Sequence, residues 1–331
     1  MTFPLSLKIA GLGHYLPDRI VTNAEVEALC ALPAGWIAER TGVRERRWVN
    51  GETQLFMAAQ AAREAVAQAG LPLAAIDLII NASGTQSQAI PDNGPLLQRE
   101  LGLGESGIPS FSVHATCLSF LMAMQTAAAL LLTDRYRHIL IVSADLASCA
   151  LNFKEPESAA LMGDAAAAVV VTRTPPGEAS ALCAFHFATY GLGADLAEVR
   201  GGGSRRHPNH AATQTEDNLF HMNGPHLLKL TRRVAPAFLD GLQPGLSRSA
   251  AGIDLIVPHQ ASVLGLRLLR HFGWPEERIM VTLDYLGNCV AASIPVSLYQ
   301  AYAQGRLRRG DRVLLIGTGA GLSLGGLILT F

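Results

Sequence analysis

The feature that most restricts how this chain can fold is that its second half repeats the order of its first. Asp77-Leu78-Ile79-Ile80 leads into Ala82-Ser83, and Asp254-Leu255-Ile256-Val257 leads into Gln260-Ala261-Ser262. Further on, Ile139-Leu140-Ile141-Val142 is echoed by Val313-Leu314-Leu315-Ile316. Each half closes on a small-residue turn and a strand: Gly163-Asp164-Ala165 before Val169-Val170-Val171, and Gly319-Ala320-Gly321 before Leu327-Ile328-Leu329. Several matches in one order and at nearly one offset mark a duplication of half the chain rather than a short repeat. Ala/Leu-rich helical runs alternate with these short buried strands, which is the pattern of a layered α/β fold. Two pseudo-symmetric halves are expected, residues 1–174 and 175–331. Between them Arg200–Asn218 has no apolar periodicity and reads as a long surface loop, either a functional cover or a mobile connector.

Other properties narrow the function. Of 331 residues, 49% are hydrophobic and 16% charged, enough for a large core. The formal net charge of -1 gives no general nucleic-acid footprint. The five cysteines are scattered without CxxC spacing, which argues against a disulfide framework or a zinc site. Met1–Leu16 lacks a charged leader and a small-residue cleavage site, and Leu7–Leu12 reads as a first strand. The longest apolar run, Leu118–Leu132, falls short of the roughly 20 residues a membrane span needs. It reads as a helix buried on every side. A soluble cytoplasmic protein is expected.

Three positions carry chemistry. Cys117 lies between a strand ending near Val113 and the apolar helix. A helix N-terminus favours a thiolate. A lone cysteine is more often inert core, however, and that reading stands for Cys30, Cys149, Cys183 and Cys289. His259, in Val257-Pro258-His259-Gln260, sits just past a buried strand, where α/β proteins gather ligands; alone it could be structural. Asn288, in Gly287-Asn288-Cys289, could be a turn and cap residue. By the duplication, however, it takes nearly the place in the second half that Cys117 takes in the first, so the two side chains would meet across the pseudo-two-fold axis.

Further segments fall into order around these: Gly35-Trp36-Ile37 with Arg40-Thr41-Gly42-Val43-Arg44, Thr116-Cys117, Met162-Gly163-Asp164, Met222-Asn223-Gly224, His259-Gln260-Ala261, Gly287-Asn288 and the closing glycine-rich turn. Together, over essentially the whole length, the chain resembles the β-ketoacyl-[acyl-carrier-protein] synthase III family of the thiolase superfamily. The resemblance implies a five-layered αβαβα fold, a homodimer and a Cys117–His259–Asn288 triad. It implies a decarboxylating Claisen condensation in fatty-acid or related lipid synthesis. Cys117 would take an acyl group from a coenzyme A thioester, and malonyl-acyl-carrier protein would supply the nucleophile, without a metal or redox cofactor. The backbone N–H groups of Cys117 and Ala320 would receive the oxyanion. Trp36, Arg40, Asn223 and Gly224 would line the substrate path, and Ile90 would close the acyl pocket of the partner subunit. Arg267 and Arg270, at i, i+3 spacing, would dock the acidic carrier protein or form a solvated helix face.

The chain departs from the family pattern at several points. Ala320 replaces a usual glycine, Pro225 a polar or charged residue and Ala165 a glycine, and Ala150–Glu157 lacks an arginine that some members place near the adenine. These leave open a specialised relative that joins two long acyl chains or transfers acyl groups to a small nucleophile. A non-catalytic partner subunit would be expected to have lost one of Cys117, His259 or Asn288, and all three are present.

Overall fold

The computed structural model describes residues 4–331. Two five-stranded mixed sheets carry the fold. In order, the first sheet is Lys8–Tyr15, Ala165–Thr172, Ile139–Asp145, Leu78–Asn81 and Ser110–Ser112. The second is Leu5–Ser6, Ala181–Gly193, Gly321–Thr330, Arg312–Gly319 and Leu255–Pro258. The echoed sequences occupy matching places. Leu78 lies opposite Ile139 in a parallel pair, and Leu255 lies opposite Val313 in another. Both Ile139–Asp145 and Arg312–Gly319 then pair antiparallel with the strand that follows them.

The repeated aspartates explain themselves at this level. The Asp77 carboxylate accepts the backbone N–H groups of Arg137 and His138 at 2.8 and 3.2 Å, and Asp254 accepts that of Arg312 at 2.8 Å. Each carboxylate therefore satisfies donors at the start of the neighbouring strand, where the ladder cannot. The halves differ at the sheet edge. Ser110–Ser112 is a full strand beside Leu78–Asn81, whereas its counterpart shrinks to one bridge between Ile256 and Ile279.

Strand alternation builds the layers. Leu78 and Ile80, like Leu255 and Val257, face a central core shared with the helices Ser119–Leu131 and Ser293–Ala303. Ile79 points the other way, onto the helix Gln54–Gln68. Ile256 points onto the layer formed by the helices Gly224–Leu242 and Val263–Arg270. The period of two thus sends successive residues of each strand into different layers, giving the expected thiolase-like five-layered arrangement. Most of Ser119–Leu131 is buried in the core between the two sheets, but the helix is not enclosed on every side as expected: Met122, Gln125, Thr126, Ala129 and Leu130 form one partly exposed stripe. Phe120, Leu121, Met124 and Leu131 are fully buried, at about 1.5–3 kcal/mol of transfer free energy each.

The first strand, Leu5–Ser6, joins the sheet of the second half opposite Leu182 and Ala181. The Arg200–Asn218 segment is largely exposed, with short 3-10 turns at Ser204–Arg206 and Thr215–Asn218. Among the described residues no helix is long and apolar enough to cross a membrane.

Candidate active site

The turn that carries Cys117 is built by local hydrogen bonds. Ser119 Oγ accepts the Ala115 N–H at 3.0 Å and donates to the Thr116 carbonyl at 2.7 Å. Between them Thr116 holds φ at 52°. A β-branched residue there costs about 1–2 kcal/mol, which surrounding structure must offset. The turn reverses the chain so that Cys117 lies at the entrance to the central helix.

The backbone N–H groups expected to favour a Cys117 thiolate are opposed in the structure by desolvation. Burial pushes the thiol up to about 12, and the nearby Asp145 carboxylate pushes the same way. The backbone N–H groups of Ala320 and Cys117 itself face the sulfur and oppose this, but desolvation wins. The balance favours the thiol at the partly exposed Cys117, with the two proposed oxyanion donors beside the sulfur.

His259 follows the strand Leu255–Pro258, and its N–H bonds the Ile316 carbonyl at 2.7 Å. The ring is buried, Nδ1 has no partner, and burial holds the imidazole down to about 4. It is neutral throughout the physiological range. Behind it, Gln260 Nε2 donates to the Met280 carbonyl and to the hydroxyls of Thr282 and Ser297, and its oxygen accepts from the N–H groups of Thr282 and Leu283. That saturated amide fixes the backbone beside His259, which accounts for the glutamine in the motif.

Asn288 is pinned by its backbone to the first half. Its N–H bonds Leu161 O at 2.6 Å, and its carbonyl accepts the Gly163 N–H at 3.0 Å. Its side-chain Oδ1 accepts the Val290 N–H at 2.9 Å, which orients the amide and leaves both N–H donors of its NH2 to offer. Asn288 lies three residues ahead of the true match to Cys117, which is Ala291: the bond from Ala115 N–H to Ser119 recurs from Cys289 N–H to Ser293, also at 3.0 Å.

Two glycines let these turns close on one another. A Cβ on Gly317 would lie 2.5 Å from the His259 Cβ and 3.1 Å from Leu118 Cδ2. One on Gly84 would lie 2.5 Å from Val290 Cγ1 and 3.3 Å from the Thr116 carbonyl oxygen. Only a bare backbone fits at either place.

A residue missed in the sequence organises this junction. Asp145 Oδ1 accepts the Gly84 and Thr85 N–H groups at 2.8 and 2.6 Å and the Thr85 hydroxyl at 2.9 Å, and Oδ2 accepts the Ala292 N–H at 3.0 Å. It ties the turn beside Cys117 to the turn after Asn288, and burial raises its carboxyl to about 6. The available signal was an acidic residue ending a strand that is otherwise apolar except for Ser143.

The other expected residues divide. A cavity of about 700 Å³ opens at Trp36 and Arg40 and passes Gly224 and Arg267 to reach His259 and Gly317. The Arg40 guanidinium lies 4.9 Å from the centroid of the Trp36 ring. Asn223 lines the adjoining groove and caps the helix Gly224–Leu242, its oxygen accepting the His226 N–H at 3.3 Å. Arg270 is paired with Glu276 at 2.9 Å, leaving Arg267 to face the cavity. Ile90 lies outside this cavity and is 87% exposed.

Comparison with known proteins agrees with this geometry. Residues 111–191 match the family model described as 3-oxoacyl-[acyl-carrier-protein (ACP)] synthase III, and residues 247–331 match the model of its C-terminal part. The chain is 31% identical over 327 residues to the β-ketoacyl-[acyl-carrier-protein] synthase III of Syntrophomonas wolfei, covering 98% of this chain and 97% of the relative. It is 35% identical over 326 residues to synthase III 3 of Streptomyces coelicolor, covering 98% and 96%. The crystal structure of 3-oxoacyl-[acyl-carrier-protein] synthase III from Aquifex aeolicus superposes with a TM-score of 0.87 at 30% identity, covering 98% of this chain and all of that one. A site of this build, on a fold and sequence matched from end to end, places the chain in the β-ketoacyl-[acyl-carrier-protein] synthase III family.

Proposed function

We propose that Cys117, His259 and Asn288 divide the condensation characteristic of the family into two half-reactions. The enzyme is an acyltransferase that forms a 3-oxoacyl thioester on acyl-carrier protein. In the first half-reaction the Cys117 sulfur loses its proton and attacks the carbonyl carbon of an acyl-CoA. The bond from carbon to the coenzyme A sulfur breaks, and coenzyme A leaves as the thiol carrying that proton. The tetrahedral oxyanion is received by the N–H groups of Cys117 and Ala320, a type of interaction whose loss typically costs about 10²–10³ in rate.

In the second half-reaction malonyl-acyl-carrier protein binds and its carboxylate departs as CO2, leaving an electron pair as an enolate. His259 Nε2–H and the Asn288 NH2 hydrogen-bond the enolate oxygen. The carbon then attacks the acyl group on Cys117, the carbon–sulfur bond breaks, and the sulfur leaves as thiolate and takes up a proton from solvent. The observation that carries this reading is that both partners are neutral and donor-only toward the crevice. His259 is held unprotonated by burial, and the Asn288 oxygen is turned to the Val290 N–H. With Nδ1 unpartnered, the tautomer with the proton on Nε2 leaves a buried lone pair rather than a buried N–H. Neutral donors stabilise a developing enolate without offering it an acidic proton.

The cavity mouth at Trp36, Arg40 and Arg267 supports entry of a phosphopantetheine-bearing thioester from coenzyme A or the carrier protein. A homodimer is supported by the open edge strand Ser110–Ser112, where Phe111 is partly exposed. A free edge with an apolar side chain is normally covered. Ile90 would then enter the partner's acyl pocket. The test is intact-protein mass after incubation with a panel of acyl-CoAs, followed by malonyl-acyl-carrier protein. One acyl adduct mapping to Cys117 and its discharge as a 3-oxoacyl product are expected. An adduct on another cysteine, or an adduct that malonyl-acyl-carrier protein never discharges, contradicts the reading.

A further inference from the structure

The cavity does not stop at His259. Past His259 and Gly317 it continues between the helices Gly224–Leu242 and Val263–Arg270 and the outer face of the second sheet. There its walls are Phe238, Leu239, Phe272, Trp274, Ile316 and Leu324. All six are buried side chains of the outer core of the second half. We propose that this inner branch is a hydrocarbon-binding subsite that takes the unbranched alkyl tail of a medium- or long-chain thioester lying beside His259.

Three observations carry the inference. First, the polar groups of the branch are already satisfied. The Thr231 hydroxyl donates to the Leu227 carbonyl at 2.8 Å, and Trp274 Nε1 donates to the Leu246 carbonyl at 2.9 Å. The branch offers no free donor to a polar chain. Second, protein interiors are packed with few voids larger than a water molecule, and an apolar void in a core is unfavourable unless something fills it. This opening lies within a cluster of Phe, Trp, Leu and Ile side chains and is continuous with the thioester path. Third, Cys117 is not among its walls. A tail in the branch therefore belongs to a thioester that has come through the mouth, not to an acyl group already held on the sulfur. At the rim, Leu264 is a half-exposed apolar residue beside Arg267, extending the hydrocarbon lining outward.

The inference rests on the reading of the site as one for thioesters, and its test separates the two. The probe is S-dodecyl-CoA, a thioether that cannot acylate Cys117, compared with free coenzyme A by calorimetry. Wild-type protein is expected to bind the dodecyl compound at least tenfold more tightly. Ala235→Phe adds a ring to the branch from the buried face of its helix. Leu269→Trp does so from the opposite helix, at a half-buried position that tolerates size more easily. Either variant, confirmed folded by its melting curve, is expected to lose the dodecyl gain while keeping coenzyme A affinity within twofold. CO2 release from malonyl-acyl-carrier protein by the same variants reports on the thioester site alone and is expected to persist. A wild-type protein with no dodecyl gain overturns the subsite. So does a gain that survives in both folded variants, which places the tail elsewhere. Variants that lose coenzyme A binding and CO2 release together with the gain show that the branch is not a separate subsite.

Discussion

The two turns that enter the central helices are copies of one design put to different uses. In the first half Ala115 N–H bonds the Ser119 hydroxyl, with Thr116 at a φ of 52° between them. In the second half Cys289 N–H bonds Ser293, with Val290 at a φ of 51°. The next residue is Cys117 in one turn and Ala291 in the other. The second half provides its functional side chain three residues earlier, from Asn288, where the chain is held by Leu161 and Gly163. The duplicated backbone sets up two equivalent elbows. On the proposed assignment, function comes from breaking their equivalence: one elbow would present a nucleophile at its apex and the other a hydrogen-bond donor on its approach.

The largest expected effect separates nucleophile from donors. Cys117→Ala should abolish acyl-enzyme formation and lower condensation at least about 10³-fold, yet still release CO2 from malonyl-acyl-carrier protein, because His259 and Asn288 remain. Radiolabelled CO2 release from this variant checks the division of labour, and its complete loss would mean that the two turns do not act independently.

The same contrast predicts opposite pH behaviour. With the thiol pushed up to about 12, the thiolate fraction and hence the rate of acylation should climb about tenfold per pH unit from pH 7 to 9. With His259 held down to about 4, decarboxylation by Cys117→Ala should stay flat from pH 9 to 5 and change only as the pH approaches 4. Parallel profiles for the two steps would remove the assignment. Smaller effects come from the matched serines. Ser119→Ala and Ser293→Ala both delete the equivalent hydrogen bond, at about 1 kcal/mol, or a fall in melting temperature of about 2–4 °C, and Ser119→Ala also removes the bond to the Thr116 carbonyl. The first should slow acylation and the second decarboxylation. A pair of variants that damage both steps equally would blur the comparison. Least of all is expected from Ala291→Cys in a Cys117→Ala background. Its thiol occupies the matching elbow but lacks the Ala320 N–H, and acyl-CoA should leave it unlabelled.

Much of this was legible in the sequence because period and order survive duplication. Asp77 and Asp254, and the aliphatic runs after them, mark the same strand in each half, and the structure pairs them in the same register. Cys117 and His259 were singled out because each follows a strand, Ser110–Ser112 and Leu255–Pro258, whereas Asn288 follows the short helix Leu283–Leu286 and was reached only through the duplication. What could not be read was the energetics of the enclosed site. Position alone suggests a stabilised thiolate at Cys117; desolvation of the partly enclosed sulfur and the nearby Asp145 carboxylate weigh against it. Asp145 itself is invisible locally, because its partners come from two distant segments, the turn at Gly84 and Thr85 and the backbone at Ala292. The role of Asn223 was equally hidden: its side-chain oxygen serves the helix cap. So was the inner apolar branch, whose walls come from separate stretches of the second half.

The most direct test of the central claim uses Asn288→Ala, which alters one approach and leaves the other elbow intact. The variant is incubated with an acyl-CoA and weighed as intact protein, then given malonyl-acyl-carrier protein while CO2 is counted. The account predicts a full acyl adduct on Cys117, with CO2 release and 3-oxoacyl product lowered by about 10²–10³. A variant that forms no adduct, or one that acylates and still releases CO2 at the wild-type rate, would contradict it.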